Sequence, residues 1–146
     1  MPQPICAYTL PNNPESVGRA RAWVRIMLTA AGREDLIDSA LLIMSELATN
    51  TAVHATQSDM IKIVCEVDGD TLTLGVIDYD ERQPILLTVR EDDERGRGLK
   101  IVDALCDEWG CSPCDGGKIV FGLLHLHAHA LQPSAIRPHP QPHAFA

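Results

Sequence analysis

The feature that most constrains the fold is residues 61–76, in which apolar side chains recur with a period of two. Two such runs are separated by Asp68-Gly69-Asp70, a sequence typical of tight turns. The pattern predicts a β-hairpin with one buried face. The apolar positions are Ile61, Ile63, Cys65 and Val67 in the first run and Leu72, Leu74 and Val76 in the second.

Two helices are predicted before this hairpin. Asn13-Pro14-Glu15 supplies a cap and a first-turn proline, after which apolar residues recur at helical spacing until Gly32. A second helix is predicted from Asp35 to about His54. Its apolar residues fall on one face, which we expect to be buried: Leu36, Ala40, Ile43, Leu47 and Ala48.

The remaining elements are shorter. Ile5 to Leu10 predicts an edge strand and Gly98 to Cys106 a third helix, whereas the charged residues 79–97 predict a long exposed loop. Glu108 to Ser112 and Lys118 to His127 predict two last strands, joined through Asp115-Gly116-Gly117. This order predicts an α+β fold, a two-layer α/β sandwich with a mostly antiparallel mixed sheet and helices on one face.

The length and charge of the chain limit its class. We expect one domain over residues 1–130 and a disordered tail over 131–146, where prolines occur among small residues and histidines. The net charge of -8 argues against nucleic acid as a partner. With no apolar run near the ~18 residues of a membrane span and no signal-like start in MPQPICAYTLP, we expect a cytoplasmic protein.

Polar residues interrupt the second helix. Glu46 and Asn50 are four residues apart, so both project from one side, and His54 continues that stripe. The pair is either a solvent-facing stripe or part of a site. The position of His54 fits a role at the end of the helix better than a catalytic role.

Three other segments are candidates for the same site. They are Asp78 at the end of the hairpin, Gly96-Arg97-Gly98 before the third helix and Gly116-Gly117-Lys118 before the last strand. Glycines that open a helix allow backbone N–H groups to approach a phosphate. Each segment alone has a structural explanation as a strand end or loop, but the ordered set favours a site.

The ordered set resembles a known family. The sequences SELATNTAVHA, VIDYDERQP, ERGRGLKIVDALCDEWG and GGKIVFGL are similar to the anti-sigma-factor serine kinases of the GHKL (Bergerat-fold) ATPase superfamily, especially small actinobacterial members. The likeness extends over about residues 5–126. It implies the Bergerat fold, ATP and Mg²⁺ as cofactors, a sigma factor and a STAS-domain anti-anti-sigma protein as partners, and a homodimer.

The resemblance also implies roles for individual residues. Glu46 would be the general base for the substrate serine, and Asn50 would ligate Mg²⁺ through its side-chain oxygen. Asp78 would accept a hydrogen bond from the adenine amino group. Gly96, Arg97 and Gly98 would hold phosphate.

Three departures from the family pattern predict weaker nucleotide binding. Asp80 stands where the family commonly has a small residue, and Ile119 where it usually has a threonine that helps to hold adenine. Glu91-Asp92-Asp93-Glu94 adds negative charge near a triphosphate, although such a run is ordinary in a solvated loop. The second hypothesis is therefore a noncatalytic binding module of the same fold.

The third hypothesis is a thiol or metal sensor. Cys106, Cys111 and Cys114 have the spacing of part of an iron–sulfur motif, and His125, His127 and His129 alternate along the last predicted strand. Reduced, packed thiols and a polar strand end are the alternative explanation. We expect all five cysteines to be reduced.

Overall fold

Six strands form one sheet in the order β1-β2-β3-β5-β4-β6, with helices packed against it. The computed structural model describes residues 6–80, 94–114, 116–126 and 143–144. The strands are β1 (Cys6–Pro11), β2 (Met60–Asp68), β3 (Thr71–Asp78), β4 (Glu108–Cys114), β5 (Gly117–His125) and β6 (His143–Ala144). The helices are α1 (Ser16–Ala30), α2 (Ile37–His54) and α3 (Glu94–Leu105), with a short 3-10 helix (Glu34–Leu36) before α2. The α+β prediction is confirmed.

Strands β1 to β5 pair antiparallel, and the two residues of β6 pair parallel to β4. The predicted hairpin is β2–β3, in which Ile61 pairs with Asp78 and Asp68 with Thr71. Gly69 in the turn has a φ of 56°, a backbone conformation that favours glycine. The register therefore places the end of β3 beside the start of β2.

One face of the sheet carries the core. Side chains alternate across a sheet, and the sheet residues of the main hydrophobic cluster all belong to one alternating set. We call this side the inner face. Helices α1, α2 and α3 contribute the other half of the cluster, so the helices cover the inner face, as predicted. Its sheet members are Leu10, Ile61, Ile63, Cys65, Leu72, Leu74, Val76, Trp109, Val120 and Leu124.

Helix α2 is the central element of the helical layer. It packs against α1, α3, β3 and β5. By length and composition alone, Glu34–His54 could cross a membrane, but this is weak evidence, because a core helix has the same composition. Ile43, Met44 and Leu47 are fully buried against the sheet and its neighbouring helices, which is the packing of a core helix.

The helix boundaries follow local chemistry. The Asn13 side-chain oxygen accepts hydrogen bonds from the Ser16 backbone N–H at 2.9 Å and from its hydroxyl at 3.1 Å, so the predicted capping residue bonds the first residue of α1. The residue directly before the helix is Glu15, whose side chain makes no cap hydrogen bond. The second helix was predicted from Asp35. Asp35 lies in the 3-10 turn, and the α-helix begins at Ile37.

The third helix begins earlier than predicted. Residues 94–97 were assigned to a loop, but Glu94 opens α3. Glu, Arg and Lys are good helix formers, and an acidic residue in the first turn suits the helix dipole. The prediction was wrong because it took a charged segment without apolar periodicity for a loop. The predicted loop residues 81–93, which include Glu91, Asp92 and Asp93, lie outside the described residues.

The C-terminal strands differ slightly from prediction. Strand β4 continues past Ser112 to Cys114 and includes Pro113, which is tolerated because the described part of β6 pairs only with Gly110 and Cys111. Strand β5 ends at His125, and Leu126 N–H donates to Asp70 O at 2.6 Å. The tail prediction for residues 131–146 falls outside the described residues, except for the strand His143–Ala144.

Replacement of Gly117 tests the close approach of β3 and β5. A Cβ at residue 117 would lie 2.1 Å from the carbonyl oxygen of Asp78. We predict that Gly117→Ala lowers the free energy of unfolding by about 1–3 kcal/mol in chemical denaturation. Gly18→Ala is the matched control, because nothing lies within 4 Å of its added methyl on α1. It should be neutral or slightly stabilising. Equal stability of the two variants would contradict the packing of β5 against the end of β3.

The buried thiol of Cys65 predicts a pH dependence of stability. Burial raises the pKa of Cys65 from 9.0 to about 12. As the pH rises above 9.0, the unfolded chain loses this proton while the folded chain keeps it, so stability falls through this range. The free energy of unfolding should therefore fall more steeply with pH in the wild type than in Cys65→Val. Ile63→Val shortens a side chain of the same strand but keeps the thiol, so its free energy of unfolding should fall with pH as steeply as that of the wild type. If Cys65→Val shows the same slope as these two proteins, Cys65 is not the group responsible.

Candidate functional site

A buried ion pair joins the ends of β3 and β5. Asp78 and Lys118 are directly paired across the two strands, so both side chains lie on the inner face. Lys118 Nζ lies 2.8 Å from Asp78 Oδ1. The Asp78 side chain is 2% exposed and that of Lys118 is 15% exposed. The carboxylate that the family resemblance assigns to adenine is therefore bound to a lysine of the same chain.

The residues that follow β3 complete the surroundings of this pair. Asp80 N–H donates to Asp78 Oδ1 at 3.0 Å, so this oxygen accepts two hydrogen bonds. Lys118 Nζ also donates to the carbonyl oxygen of Asp80 at 3.1 Å. The Lys118 ammonium is thereby held between a side-chain oxygen and a backbone oxygen.

The same end of the sheet is tied to the end of α2. Asp80 is 5% exposed, and its Oδ2 accepts the Gln57 backbone N–H at 3.0 Å. The hydroxyl of Ser58 accepts Tyr79 N–H at 2.9 Å and donates to Met60 O at 2.7 Å. Asp80 was predicted to add bulk and charge beside a nucleotide. The structure shows this side chain buried and bonded to the turn after α2.

Ile119 does not have the position expected for it. It pairs with Ile77 on the opposite alternating set, and its Cδ1 lies 2.7 Å from the site of an added Cβ at Gly75. Because alternate residues of a strand face opposite sides, Ile119 belongs to the outer face. Lys118 is the residue of β5 that faces Asp78.

Glu46 and Asn50 lie on α2, at the boundary between its buried and exposed sides. Both are partly buried, next to the buried residues Leu47 and Thr51. Within the described part of the chain, neither side chain has a hydrogen bond or ion pair. The polar pair is therefore neither in the core nor fully solvated, a position that suits ligand contact.

The residue before Glu46 anchors this part of α2. The hydroxyl of Ser45 donates to Leu41 O at 2.6 Å and accepts a hydrogen bond from Arg21 Nη1 on α1. Arg21 Nη1 also donates to Leu41 O at 3.4 Å. Arg21 therefore fixes α1 against the turn of α2 that presents Glu46, a role that helical periodicity did not reveal.

The predicted phosphate-binding segment lies within α3. Gly96, Arg97 and Gly98 occupy positions three to five of this helix, which begins at Glu94. The N–H groups of the cap residue and of the first three helical residues have no partner within a helix, so that of Gly96 is available to an anion, whereas those of Arg97 and Gly98 fall within the helical ladder. The side chain of Arg97 is outside the described set.

His54 is the last residue of α2, where a basic side chain suits the negative end of the helix dipole. Its position agrees with a helix-end role. Asn50 lies one turn earlier, followed towards the N-terminus by Glu46. The stripe thus leads from the end of α2 that contacts Asp80 towards the middle of the helix.

The three cysteines of the metal hypothesis are not brought together. Cys106 is buried, and its sulfur lies 2.6 Å from the site of an added Cβ at Gly122 in the middle of β5. Cys111 and Cys114 are three residues apart in β4, so they face opposite sides of the sheet. Burial raises the pKa of Cys111, which favours the protonated thiol.

No cluster of three or more His, Cys, Asp or Glu that could hold a metal occurs among the described residues. None of the five cysteines, all of them among the described residues, is in a disulfide bond. His125 is exposed, while His127 and His129 lie outside the described residues. The described residues therefore give the sensor hypothesis no support.

The site fits a magnesium nucleotide at one end only. Glu46 and Asn50 provide a carboxylate and an amide oxygen, the donor types that Mg²⁺ and a reacting hydroxyl require. At the base end, Oδ1 of the buried Asp78 already accepts two hydrogen bonds, so only Oδ2 is left for an adenine amino group.

Comparison with known families agrees with the fold. A model of the histidine kinase-like ATPase domain matches residues 10–120, which include α1, α2, β2 to β4 and the ion pair. This match supports an ATP-binding, GHKL-type function. No curated protein matches the chain.

The ion pair predicts an asymmetric response to mutation. Lys118→Met leaves the Asp78 carboxylate buried without its counter-charge, so we expect a loss of about 3–5 kcal/mol in the free energy of unfolding. Asp78→Asn should cost less, because the lysine stem is flexible enough to carry its charge towards water. The double variant Asp78→Asn/Lys118→Met should be more stable than the sum of the single effects predicts.

The matched control is Lys62→Met. Lys62 is exposed on the outer face of β2, so its replacement should change stability by no more than about 0.5 kcal/mol. Chemical denaturation of the four variants measures these differences. Additive effects of Asp78→Asn and Lys118→Met would show that the two groups do not interact in solution.

Proposed function

The chain belongs to the histidine kinase-like ATPase domain family, and from that premise we propose that it is an ATP-dependent serine kinase and anti-sigma factor. Its proposed substrate is a serine of a STAS-domain anti-anti-sigma protein, and its proposed target is a sigma factor. We also propose that this regulator is a homodimer and that it acts in the cytoplasm. The observation that carries the proposal is the half-buried pair Glu46 and Asn50 on one side of α2.

The pair suits phosphoryl transfer to a hydroxyl. When bound, Mg-ATP would supply the phosphoryl group, and the side-chain oxygen of Asn50 would hold the cation. Glu46 takes the proton of the substrate hydroxyl, as a general base. The N–H group of Gly96 in the first turn of α3 provides a hydrogen bond for a phosphate oxygen. These roles are mainly positioning, which is what this reaction requires of a protein.

The neighbours of Glu46 keep it in place for this role. Ser45 is bonded both to its own helix and to Arg21 of α1. Leu47 and Ala48, the next two residues, are buried in the core. The backbone that carries Glu46 is therefore held on two sides, while its carboxylate lies at the boundary with solvent.

One observation favours a second candidate function, a noncatalytic binding module of the same fold. Asp78 is buried and paired with Lys118, which leaves the base end of the site less accessible than a nucleotide needs. Such a module would bind its protein partner equally with and without ATP. Calorimetry with the partner in the presence and absence of Mg-ATP distinguishes it from the kinase.

Phosphorylation of a STAS-domain protein tests the kinase proposal. The wild type incubated with Mg-ATP and candidate STAS-domain proteins should produce phosphoserine in one of them. Glu46→Gln should lower the rate by about 10²–10⁴-fold, because it removes the base but keeps the shape. Asn50→Ala should weaken magnesium-dependent nucleotide binding.

Glu66→Gln is the control for Glu46→Gln. Glu66 lies on the outer face of β2, opposite to the helices, so its loss should leave the rate unchanged. Equal rates for Glu46→Gln and the wild type would exclude Glu46 as the base. A wild type that does not bind nucleotide at millimolar ATP would exclude the kinase and leave the binding module.

A further inference from the structure

Lys118 is bonded to the Asp78 carboxylate, the group that a nucleotide base would need. Its ammonium lies 2.8 Å from Asp78 Oδ1 and 3.1 Å from the carbonyl oxygen of Asp80. Asp80 N–H donates to the same Oδ1 at 3.0 Å. Lys118 carries a full positive charge and the amino group of a base does not, so the amino group is the weaker partner for the Asp78 carboxylate.

The backbone around the pair leaves little room for adjustment. Gly117 lies so close to the Asp78 carbonyl group that even a methyl group would overlap it. Asp80 is fixed at its carboxylate by Gln57 N–H and at its own N–H by Asp78. The backbone of Asp78 is therefore held in place while β3 and β5 remain paired, and its Oδ1 is held by the Asp80 N–H.

The lysine side chain is the part that can move. It has a flexible four-carbon stem and is 15% exposed, whereas the Asp78 side chain is 2% exposed. Rotation of the stem would carry the ammonium towards water without moving either strand. It would also open the Asp78 carboxylate to another hydrogen-bond donor on the inner face.

We propose that Lys118 is a specificity-determining residue that competes with the nucleotide base for Asp78 and thereby lowers the affinity of the site. The proposal rests on the proposed nucleotide-binding function. A base that bonds Oδ1 must displace the ammonium, and one that bonds Oδ2 meets a carboxylate whose charge Lys118 already neutralises. The affinity for adenine nucleotides is thus set by an internal ion pair.

Direct measurement of binding tests this role. Calorimetric titration of the wild type, Lys118→Thr and Lys118→Gln with Mg-ATP should show at least about tenfold tighter binding in both variants, the effect of removing one charge-assisted hydrogen bond that opposes binding. Lys62→Thr, which removes an exposed lysine from the outer face of β2, should bind as the wild type does. Circular dichroism establishes that each variant is folded.

The outcomes separate the inference from the function on which it rests. If the wild type binds ATP and the Lys118 variants bind equally or more weakly, the competition is wrong and nucleotide binding stands. If neither the wild type nor a folded Lys118 variant binds, the nucleotide site is wrong and the competition is overturned with it. Should Lys118→Thr fail to fold, Lys118→Gln decides, because it keeps a donor to Asp78 without the charge.

Discussion

The register between β3 and β5 is the constraint on which the rest of the site depends. It pairs Asp78 with Lys118 on the inner face and brings Gly117 against the carbonyl group of Asp78. A shift by one residue would move Lys118 to the outer face and bring Ile119 opposite the carboxylate. The same ladder fixes Val76 and Val120 in the core, so the hydrophobic packing that stabilises the sheet also holds the ion pair in position.

Core packing and ligand contact depend on different side chains in this domain. Helix α2 has a polar edge of Glu46 and Asn50 beside a buried side that is apolar except for Thr51, as the core helix of this layer requires. At the base end, an internal cation is bonded to one oxygen of the Asp78 carboxylate. The family match over residues 10–120 and the Asp78–Lys118 pair are therefore compatible.

The fold was largely predictable because its signals are local. The period of two over residues 61–76 predicted the β2–β3 hairpin, and Asn13 predicted that α1 begins close to it. The start of α3 was missed because its first turn is charged and lacks an apolar stripe. The Asp78–Lys118 pair joins residues 40 positions apart, and sequence reasoning recognised both segments without the register that brings them together. For the same reason it counted Ile119 among the positions beside adenine, whereas the register places this residue on the outer face.

Nuclear magnetic resonance of the lysine ammonium groups tests the ion pair most directly. A buried, hydrogen-bonded ammonium exchanges its protons slowly, so Lys118 should give a resolved Nζ–H signal at neutral pH, whereas the exposed Lys62 should not. The signal should disappear in Asp78→Asn. A Lys118 ammonium that exchanges as fast as that of Lys62, or a signal unaffected by Asp78→Asn, would contradict the account of the site.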